Sequence, residues 1–260
     1  MIQVVIAMTT FYKSVEELRF KLACQLVSAA VSAGHKVVIV DGSPTREVAK
    51  KLYELGAQVY PQLHKGMGPG RREVFFHAME VAVEKDISFI LWTEPEKVDV
   101  VRWVEKIIEP LLEDSSVVVP RRSEKAWATW PTYQRTTEEK ANQVYNDVAK
   151  IDGFDPMLGL VAFHISVARY FVLCSPKRIC LGNTTKIADT YIQQYASLIA
   201  HLLGEKTVKV EIDMVYPTEQ RAEEEGTMNE EMLKKREWQM VTISDAFRII
   251  DSVSKSKLIP

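Results

Sequence analysis

The chain has 260 residues, 47% of them hydrophobic and 26% charged, which is enough apolar material for one domain with a full core. Its formal charge of −2 gives no electrostatic reason to expect a nucleic-acid partner. The apolar stretches reach about eight residues, far short of the roughly 20 that cross a bilayer. The first residues lack a basic leader, so a buried strand is expected there and not a signal peptide. Three cysteines, Cys24, Cys174 and Cys180, are an odd number and predict a cytoplasmic protein without disulfides.

Strand and helix patterns alternate through the first half of the chain. Short β-branched or apolar runs predict five strands, at residues 3–7, 36–40, 58–60, 88–92 and 117–120. Amphipathic segments between them predict helices at residues 15–33, 45–55, 73–84 and 98–112. This alternation predicts an α/β fold with a mainly parallel sheet and helices on both faces. Since such sheets bind ligands at the carboxyl ends of their strands, the loops after strands one, two and four are candidate site loops.

The second half of the chain is less regular. Residues 121–133 predict a loop over a site, residues 138–148 a helix, and residues 153–156 a turn. A strand at 160–163, a helix at 186–203 and a strand at 208–215 follow. The charge run at 221–225 is expected to be solvated, and residues 229–254 to form one or two helices packed on the body. No linker divides the chain, so we expect a single domain over 1–220 with a helical extension over 221–260.

Several common enzyme signatures are missing. The segment Gly66-Met67-Gly68-Pro69-Gly70-Arg71 lacks the spacing of the dinucleotide fingerprint and follows the third strand instead of the first. The sequence has neither a Walker-type Gly-Lys-Ser/Thr loop nor a nucleophile elbow. Its five histidines share no metal-ligand spacing. Dehydrogenases, P-loop NTPases, serine hydrolases and zinc enzymes are therefore disfavoured.

A carboxylate, Asp41, stands at the tip of the second predicted strand. There it can accept hydrogen bonds from a nucleobase edge or from ribose hydroxyls. The sequence Asp41-Gly42-Ser43-Pro44 also suits a turn stabilised by the aspartate itself, and this alternative stays open.

Two adjacent arginines, Arg71 and Arg72, follow the glycine-rich segment at a predicted helix start. The backbone amides of a helix N-terminus favour anions, and arginine forks pair with phosphate oxygens. The alternative is a solvated basic turn.

Two carboxylates end the fourth predicted strand, in Glu94-Pro95-Glu96. Oxygen ligands of this kind can hold Mg²⁺ or Mn²⁺ against a diphosphate. The alternative is a helix N-terminus, where glutamate is also favoured.

The order of these elements resembles the GT-A glycosyltransferases, especially family-2-like members, over residues 3–220. The first-strand loop of that family matches Thr9-Thr10-Phe11-Tyr12, and its nucleobase aspartate matches Asp41. Its diphosphate segment resembles residues 68–72, and its Asp-x-Asp motif falls on Glu94-Pro95-Glu96. The order of elements over residues 121–163 is more loosely similar to that of the retaining mannosylglycerate and glucosyl-3-phosphoglycerate synthases. The acceptor loop of those enzymes corresponds to residues 155–159.

The resemblance implies a sugar transferase that takes a UDP- or GDP-linked donor, a hydroxyl acceptor, and Mg²⁺ or Mn²⁺ as cofactor. It implies a metal site at Glu94 and Glu96, with Glu96 also catalytic. The implied donor-binding residues are Thr9, Tyr12, Asp41, Lys65, Gly70, Arg71, Arg72 and Arg221. The implied acceptor-binding residues are Arg121, Trp130, Asp155 and Gly159. Asp155 is also the candidate base of an inverting reaction, whereas a retaining reaction requires none.

Two departures from the family pattern leave alternatives open. Glutamates replace both aspartates of the metal motif, and Gln220 and Arg221 stand where a metal-binding histidine often follows the late strand. These changes favour a non-catalytic nucleotide-binding or regulatory protein as an alternative. A sugar nucleotidyltransferase is disfavoured because its Gly-x-Gly-Thr-Arg loop is missing after the first strand. The oligomeric state is not determined by the sequence, and a homodimer stays open.

Overall fold

A twisted sheet forms the centre of the computed structural model, which describes residues 2–175 and 187–255. The described residues contribute seven strands: β1 Val5–Thr10, β2 Lys36–Asp41, β3 Gln58–Pro61, β4 Phe89–Trp92, β5 Val117–Arg122, β6 Val161–His164 and β7 Thr207–Ile212. Their order is β3-β2-β1-β4-β6-β5-β7. Only β6 runs antiparallel to its neighbours, and the other described pairs are parallel. The expected mainly parallel sheet is confirmed.

Helices cover both faces of this sheet. They are α1 Leu18–Ser32, α2 Arg46–Glu54, α3 Met67–Glu84, α4 Val104–Glu113, α5 Glu124–Trp127, α6 Thr132–Ala149, α7 Ala168–Leu173, α8 Ile192–Leu202, α9 Thr218–Thr227 and α10 Glu230–Lys255. Successive strand residues face opposite sides, so Ile6 and Met8 enter one apolar cluster while Val5 and Ala7 enter the other. Burial on both faces explains why the first strands are continuous apolar runs.

The C-terminal helix α10 is part of the apolar cluster that contains Val5 and Ala7. Its Phe247 ring lies 5.1 Å from the Tyr145 ring of α6, and Ile243 and Ile250 are fully buried beside it. The division expected after residue 220 falls inside α9 and stays a prediction.

Several element boundaries differ from those expected. Helix α3 begins at Met67 and not at residue 73, so the glycine-rich segment is its first turn. Gly66 caps it with φ of 112°, a conformation that favours glycine. A side chain at Gly68 would collide with Asp189, which explains the glycine at a helical position. The helix expected at 98–112 is a 3-10 segment, Val98–Trp103, followed by α4.

The prediction of a loop over residues 121–133 was wrong. Strand β5 continues to Arg122, α5 follows, and α6 begins at Thr132. The helix expected at 186–203 begins at Ile192, and residue 186 lies outside the described residues. The expected strand at 208–215 is β7, which ends at Ile212.

No helix in residues 2–175 or 187–255 is long and apolar enough to span a bilayer. Cys24 and Cys174 are free thiols, and Cys180 lies outside the described residues.

Candidate functional site

A cleft of about 910 Å³ opens at the carboxyl ends of β1 to β4. Its floor is formed by the residues that end these strands, including Thr9, Gly42, Gln62 and Trp92. The opposite wall comes from α6, α8, α9 and α10. This is the edge of the sheet at which the strand pattern predicts a ligand.

Eight of the residues proposed from the sequence line this cleft: Thr9, Tyr12, Lys65, Gly70, Arg71, Glu94, Glu96 and Trp130. Six others lie behind its surface or outside it: Asp41, Arg72, Arg121, Asp155, Gly159 and Arg221. The structure therefore brings the first-strand loop, the glycine-rich segment and the glutamate pair together, as expected. It separates most of the acceptor residues from them.

Glu94 is paired with a lysine that the sequence reasoning overlooked. The Lys97 ammonium donates a hydrogen bond to Glu94 Oε2, and Lys97 is only 9% exposed. Burial by itself would raise the pKa of Glu94, but the charge and hydrogen bond of Lys97, together with the charges of Arg71 and Arg236, hold that pKa below its usual value. Gly159 lies against the pair, since a Cβ built on it would be 3.5 Å from Lys97 Nζ.

Glu96 is the other carboxylate of the motif, and no salt bridge from a described residue reaches it. The Tyr12 hydroxyl donates to Glu96 Oε1 at 3.2 Å. Burial, reinforced by the negative charge of Glu94, raises the pKa of Glu96. Among the described residues, no group of three or more His, Cys, Asp or Glu side chains is arranged to hold a metal ion.

Arg71 projects from the first turn of α3 into the cleft. Its Nη1 donates to the Thr190 carbonyl and, at 2.9 Å, to Gln193 Oε1. The guanidinium carbon lies 5.3 Å from the centroid of the Trp92 ring. Burial lowers the pKa of Arg71, although Glu94 opposes this, and a guanidinium stays charged at neutral pH in either case. A fixed positive charge therefore faces the cleft beside the glutamate motif.

Arg72 has a different environment from Arg71. Its two terminal nitrogens donate to the two carboxylate oxygens of Asp189 at 2.7 and 2.9 Å. A further bond reaches the Cys174 carbonyl at 3.2 Å. Arg72 thereby ties the segment before α8 to α3, and its diphosphate-binding role stays a prediction.

Asp41 is buried behind Gly42, which lines the cleft. Its Oδ1 accepts hydrogen bonds from the Thr10 hydroxyl at 2.7 Å and from the Ser43 hydroxyl at 2.6 Å. The Ser43 amide also approaches it at 3.3 Å, which is the turn chemistry of the alternative interpretation. The carboxylate shapes the loop, and its contact with a nucleobase stays a prediction.

Asp155 lies below the cleft in a buried network of charges. Its two oxygens accept from Arg122 Nε and Nη2, each at 2.7 Å, and from Asn142 Nδ2 at 2.6 Å. Burial would raise the pKa of Asp155, but the Arg122 charge and hydrogen bonds outweigh it and lower that pKa. Arg122 in turn binds Glu138 at 2.7 Å and stacks 4.3 Å from the Trp130 centroid. These contacts hold Asp155 behind the surface of the cleft, and its catalytic and acceptor-binding roles stay predictions.

Two other arginines proposed from the sequence form surface contacts. Arg121 pairs with Glu211 at 2.7 Å on the sheet edge. Arg221 pairs with Glu225 at 3.0 Å and donates to the Thr129 carbonyl at 3.2 Å. Neither lines the cleft in this structure.

Glu224 is a cleft residue that the sequence reasoning missed. Its carboxylate accepts from Arg19, Gln220, Tyr133 and Tyr216, each at 2.9 Å. Burial would raise the pKa of Glu224, but these hydrogen bonds hold it low. The residue belongs to the charge run expected to be solvated. The spacing of Tyr216, Gln220 and Glu224 by four residues could have indicated one face of a helix.

A second cavity of about 720 Å³ opens beside the cleft, between α1, α6, α9 and α10. The two share four lining residues: Arg19, Gln134, Glu224 and Arg236. Gln193 and Gln194, at the start of α8, line the main cleft and were also missed. No sequence motif marks them, because their place depends on how α8 packs.

The strand order and the position of the cleft define the fold of the GT-A glycosyltransferases, the nucleotide-diphospho-sugar transferase fold. A crystal structure of glucosyl-3-phosphoglycerate synthase from Mycobacterium tuberculosis with Mn²⁺, UDP and glucosyl-3-phosphoglycerate matches with a TM-score of 0.57 and 10% identity, over 95% of this chain and 79% of that one. The same enzyme with Mn²⁺, UDP and phosphoglyceric acid gives 0.56 and 13%, over 95% and 78%. A mycobacterial protein gives 0.60 and 12%, over 95% and 74%.

The similarity is structural and not one of sequence. No protein-family model matches the chain, and no curated protein matches it. At these identities the matches establish the fold, and the resemblance inferred from the order of the motifs is confirmed at that level.

Proposed function

We propose that this protein is a glycosyltransferase that moves a sugar from a nucleoside-diphosphate sugar to a hydroxyl acceptor. The observation that carries the proposal is one cleft at the strand ends that combines the Thr9–Tyr12 loop, Arg71 and the Glu94/Glu96 pair. The similar synthases were crystallised with UDP, which supports a UDP-linked donor. A GDP-linked donor is the other candidate.

In this proposal the donor lies along the floor of the cleft. The base and ribose are placed near the first-strand loop and Gly42, with Asp41 supporting that loop. The diphosphate is placed beside Arg71 and Lys65. The N-terminus of α3 adds its backbone amides there, which favours a bound anion.

The residues present fit a divalent cation at Glu96. No salt bridge from the described residues reaches its carboxylate, and burial together with the neighbouring Glu94 charge raises its pKa, a cost to the charged form that a cation would offset. Glu94 is occupied by Lys97, so Glu96 is the proposed principal ligand and Glu94 a secondary one. Oxygen ligands suit Mg²⁺ or Mn²⁺. When bound, the cation would offset the charge that develops on the leaving diphosphate.

The reaction breaks the bond between the sugar carbon and the diphosphate oxygen and forms a bond from that carbon to the acceptor oxygen, while the acceptor proton passes to the leaving diphosphate. Arg71 stabilises the negative charge that develops on the diphosphate. Apart from the Glu94/Glu96 pair, the described cleft carboxylates are Glu138 and Glu224, and arginines bind both. Neither is suited to accept a proton from an acceptor hydroxyl. This supports a retaining transfer, which requires no carboxylate base. The second cavity is the proposed route for the acceptor.

A non-catalytic nucleotide-binding protein is the alternative, favoured by the occupation of Glu94 by Lys97. A cytoplasmic location, the absence of a nucleic-acid partner and a homodimer also stay predictions.

Melting temperatures measured with UDP, GDP and ADP, each with and without Mn²⁺, test the proposal. A ligand at about 100 times its Kd adds about 2.7 kcal/mol to the stability. For a chain of this size that corresponds to roughly 5–10 °C. We expect such a shift with UDP or GDP, an Mn²⁺-dependent increase that is lost in Glu96→Gln, and release of nucleotide from the sugar donor. No shift with any nucleoside diphosphate would contradict the proposal, and binding without turnover would favour the alternative.

A further inference from the structure

Lys97 is a buried ammonium group in the wall of the donor cleft. It follows the glutamate motif directly, and its backbone amide donates to the Glu94 carbonyl at 3.2 Å. This tight turn folds the lysine back over Glu94, with its Nζ 5.6 Å from the Trp130 centroid. Lysine normally keeps its charged end in water, so a cleft lysine that is 9% exposed needs a specific environment.

The environment of Lys97 leaves part of the ammonium available to a ligand. An ammonium has three hydrogen-bond donors, and among the described residues only Glu94 accepts from it in a hydrogen bond. Gly159 lies beside the ammonium and has no side chain to cover it, since a Cβ built on Gly159 would be 3.5 Å from Lys97 Nζ. Arg71 also lines the cleft, so Lys97 is one of several positive charges around the glutamate pair.

We propose that Lys97 is a built-in binding group for the donor diphosphate, held by Glu94 and acting beside Arg71. Its charge adds to that of the divalent cation, so nucleotide binding persists when the cation is removed. This inference rests on the proposed function, because it assigns a further residue to the same donor site. It also accounts for Glu94, which orients the lysine instead of serving mainly as a metal ligand.

A purely structural lysine predicts different behaviour. In that case Lys97 only neutralises Glu94, and its removal weakens nucleotide binding by uncovering the Glu94 charge. Removing both charges together would then restore binding. If Lys97 contacts the diphosphate, the double variant stays weak, because the contact is lost with or without Glu94.

The test is calorimetric titration of the full chain with UDP, or with GDP if UDP does not bind, in excess EDTA and again in Mn²⁺. The variants are Lys97→Met, Lys97→Arg and the double change Glu94→Gln with Lys97→Met. Lys125→Met is the matched control, because Lys125 is 81% exposed on α5 and is not one of the cleft-lining residues. Melting curves of each variant without ligand identify any that fail to fold. If Lys97→Met does not fold, the double variant serves in its place, because it leaves no unpaired charge and the two roles of Lys97 predict opposite results for it.

We expect wild-type protein in EDTA to bind UDP within about tenfold of its affinity in Mn²⁺, and Lys97→Met to lose at least about tenfold in EDTA. The double variant should stay equally weak, Lys97→Arg should recover most of the affinity, and Lys125→Met should bind like wild type. Unchanged binding in Lys97→Met overturns the inference, as does restored binding in the double variant. Binding by wild type only in Mn²⁺ overturns it too, yet leaves the proposed function intact. No binding of UDP or GDP in either condition rejects both.

Discussion

The change Asp155→Asn separates a structural role from a catalytic one. In the structure Asp155 is bound by Arg122 and Asn142 below the cleft, with side-chain exposures of 7% for Asp155 and 0% for Arg122. The substitution keeps the shape of the side chain but removes the charge. Of the two buried carboxylates that pair with Arg122 among the described residues, one charge is then lost and Glu138 is retained.

The expected cost follows from the burial of this pair. Breaking a buried ion pair by removing one partner costs about 3–5 kcal/mol, and the retained Glu138 argues for the lower end. About 3 kcal/mol corresponds to a fall in melting temperature of roughly 6–12 °C for a chain of this size. Exposed pairs contribute about 0–1 kcal/mol, so Glu211→Gln, which breaks the surface pair with Arg121, is the matched control.

The pH dependence of this loss has a definite sign. The folded pKa of Asp155 lies below its unfolded value, so its stabilisation is fully present above the unfolded value of about 4. It is lost as the pH falls through the folded pKa. The difference between wild type and Asp155→Asn in urea unfolding should therefore be full at pH 7 and shrink below about pH 4.

Nucleotide binding and turnover complete the assay. We expect Asp155→Asn to bind UDP with nearly wild-type affinity at a temperature where it is folded. A variant with unchanged melting temperature but turnover reduced by more than about 100-fold would refute this reasoning. That result would restore Asp155 as the base of an inverting reaction.

Three further predictions follow from other residues of the site. Arg71→Lys should weaken UDP binding by at least about tenfold in calorimetry, because lysine lacks the planar group with which Arg71 binds Thr190 and Gln193 while facing the cleft. Equal affinity of the variant and wild type would contradict this. Glu224→Gln should lower the free energy of unfolding in urea by about 1–3 kcal/mol and raise the KM for the acceptor, while the affinity for UDP stays unchanged. Weakened UDP binding would contradict the assignment of Glu224 to the acceptor side. Gly159→Ala should lower the free energy of unfolding in urea by about 1–2 kcal/mol, because φ at this position is +80°. An unchanged unfolding midpoint would show that the turn relaxes.

The sheet was predictable because each strand carries its own signal. Runs such as residues 37–40 are apolar throughout, and burial on both faces requires this pattern. The carboxyl ends of parallel strands share one edge of the sheet, so the meeting of Thr9, Arg71 and Glu96 also followed from the strand order. The start of α3 was misplaced because glycine and proline usually mark loops, although proline is accepted in the first helical turn.

The partners of charged residues could not be predicted in the same way. Asp155 and Arg122 are 33 positions apart, and only the packing of β5 against the turn after α6 makes them a pair. Turn chemistry and catalysis use the same aspartate, so the local sequence does not distinguish them. Lys97 was overlooked because lysine is usually exposed, and nothing in the local sequence marks this one as buried.

The buried charges also explain why α10 belongs to the site and is more than an appendage. Arg236 of α10 binds Glu138 of α6, and Glu138 binds Arg122 below Trp130. Arg236 lines both the cleft and the second cavity, so the same contact that docks the helix also shapes the acceptor side. A buried carboxylate shared by two arginines is strongly destabilised when one of them leaves. The position of α10 and the geometry of the Trp130 wall are therefore coupled. A change at the helix surface that shifts Arg236 should also change the shape of the cleft.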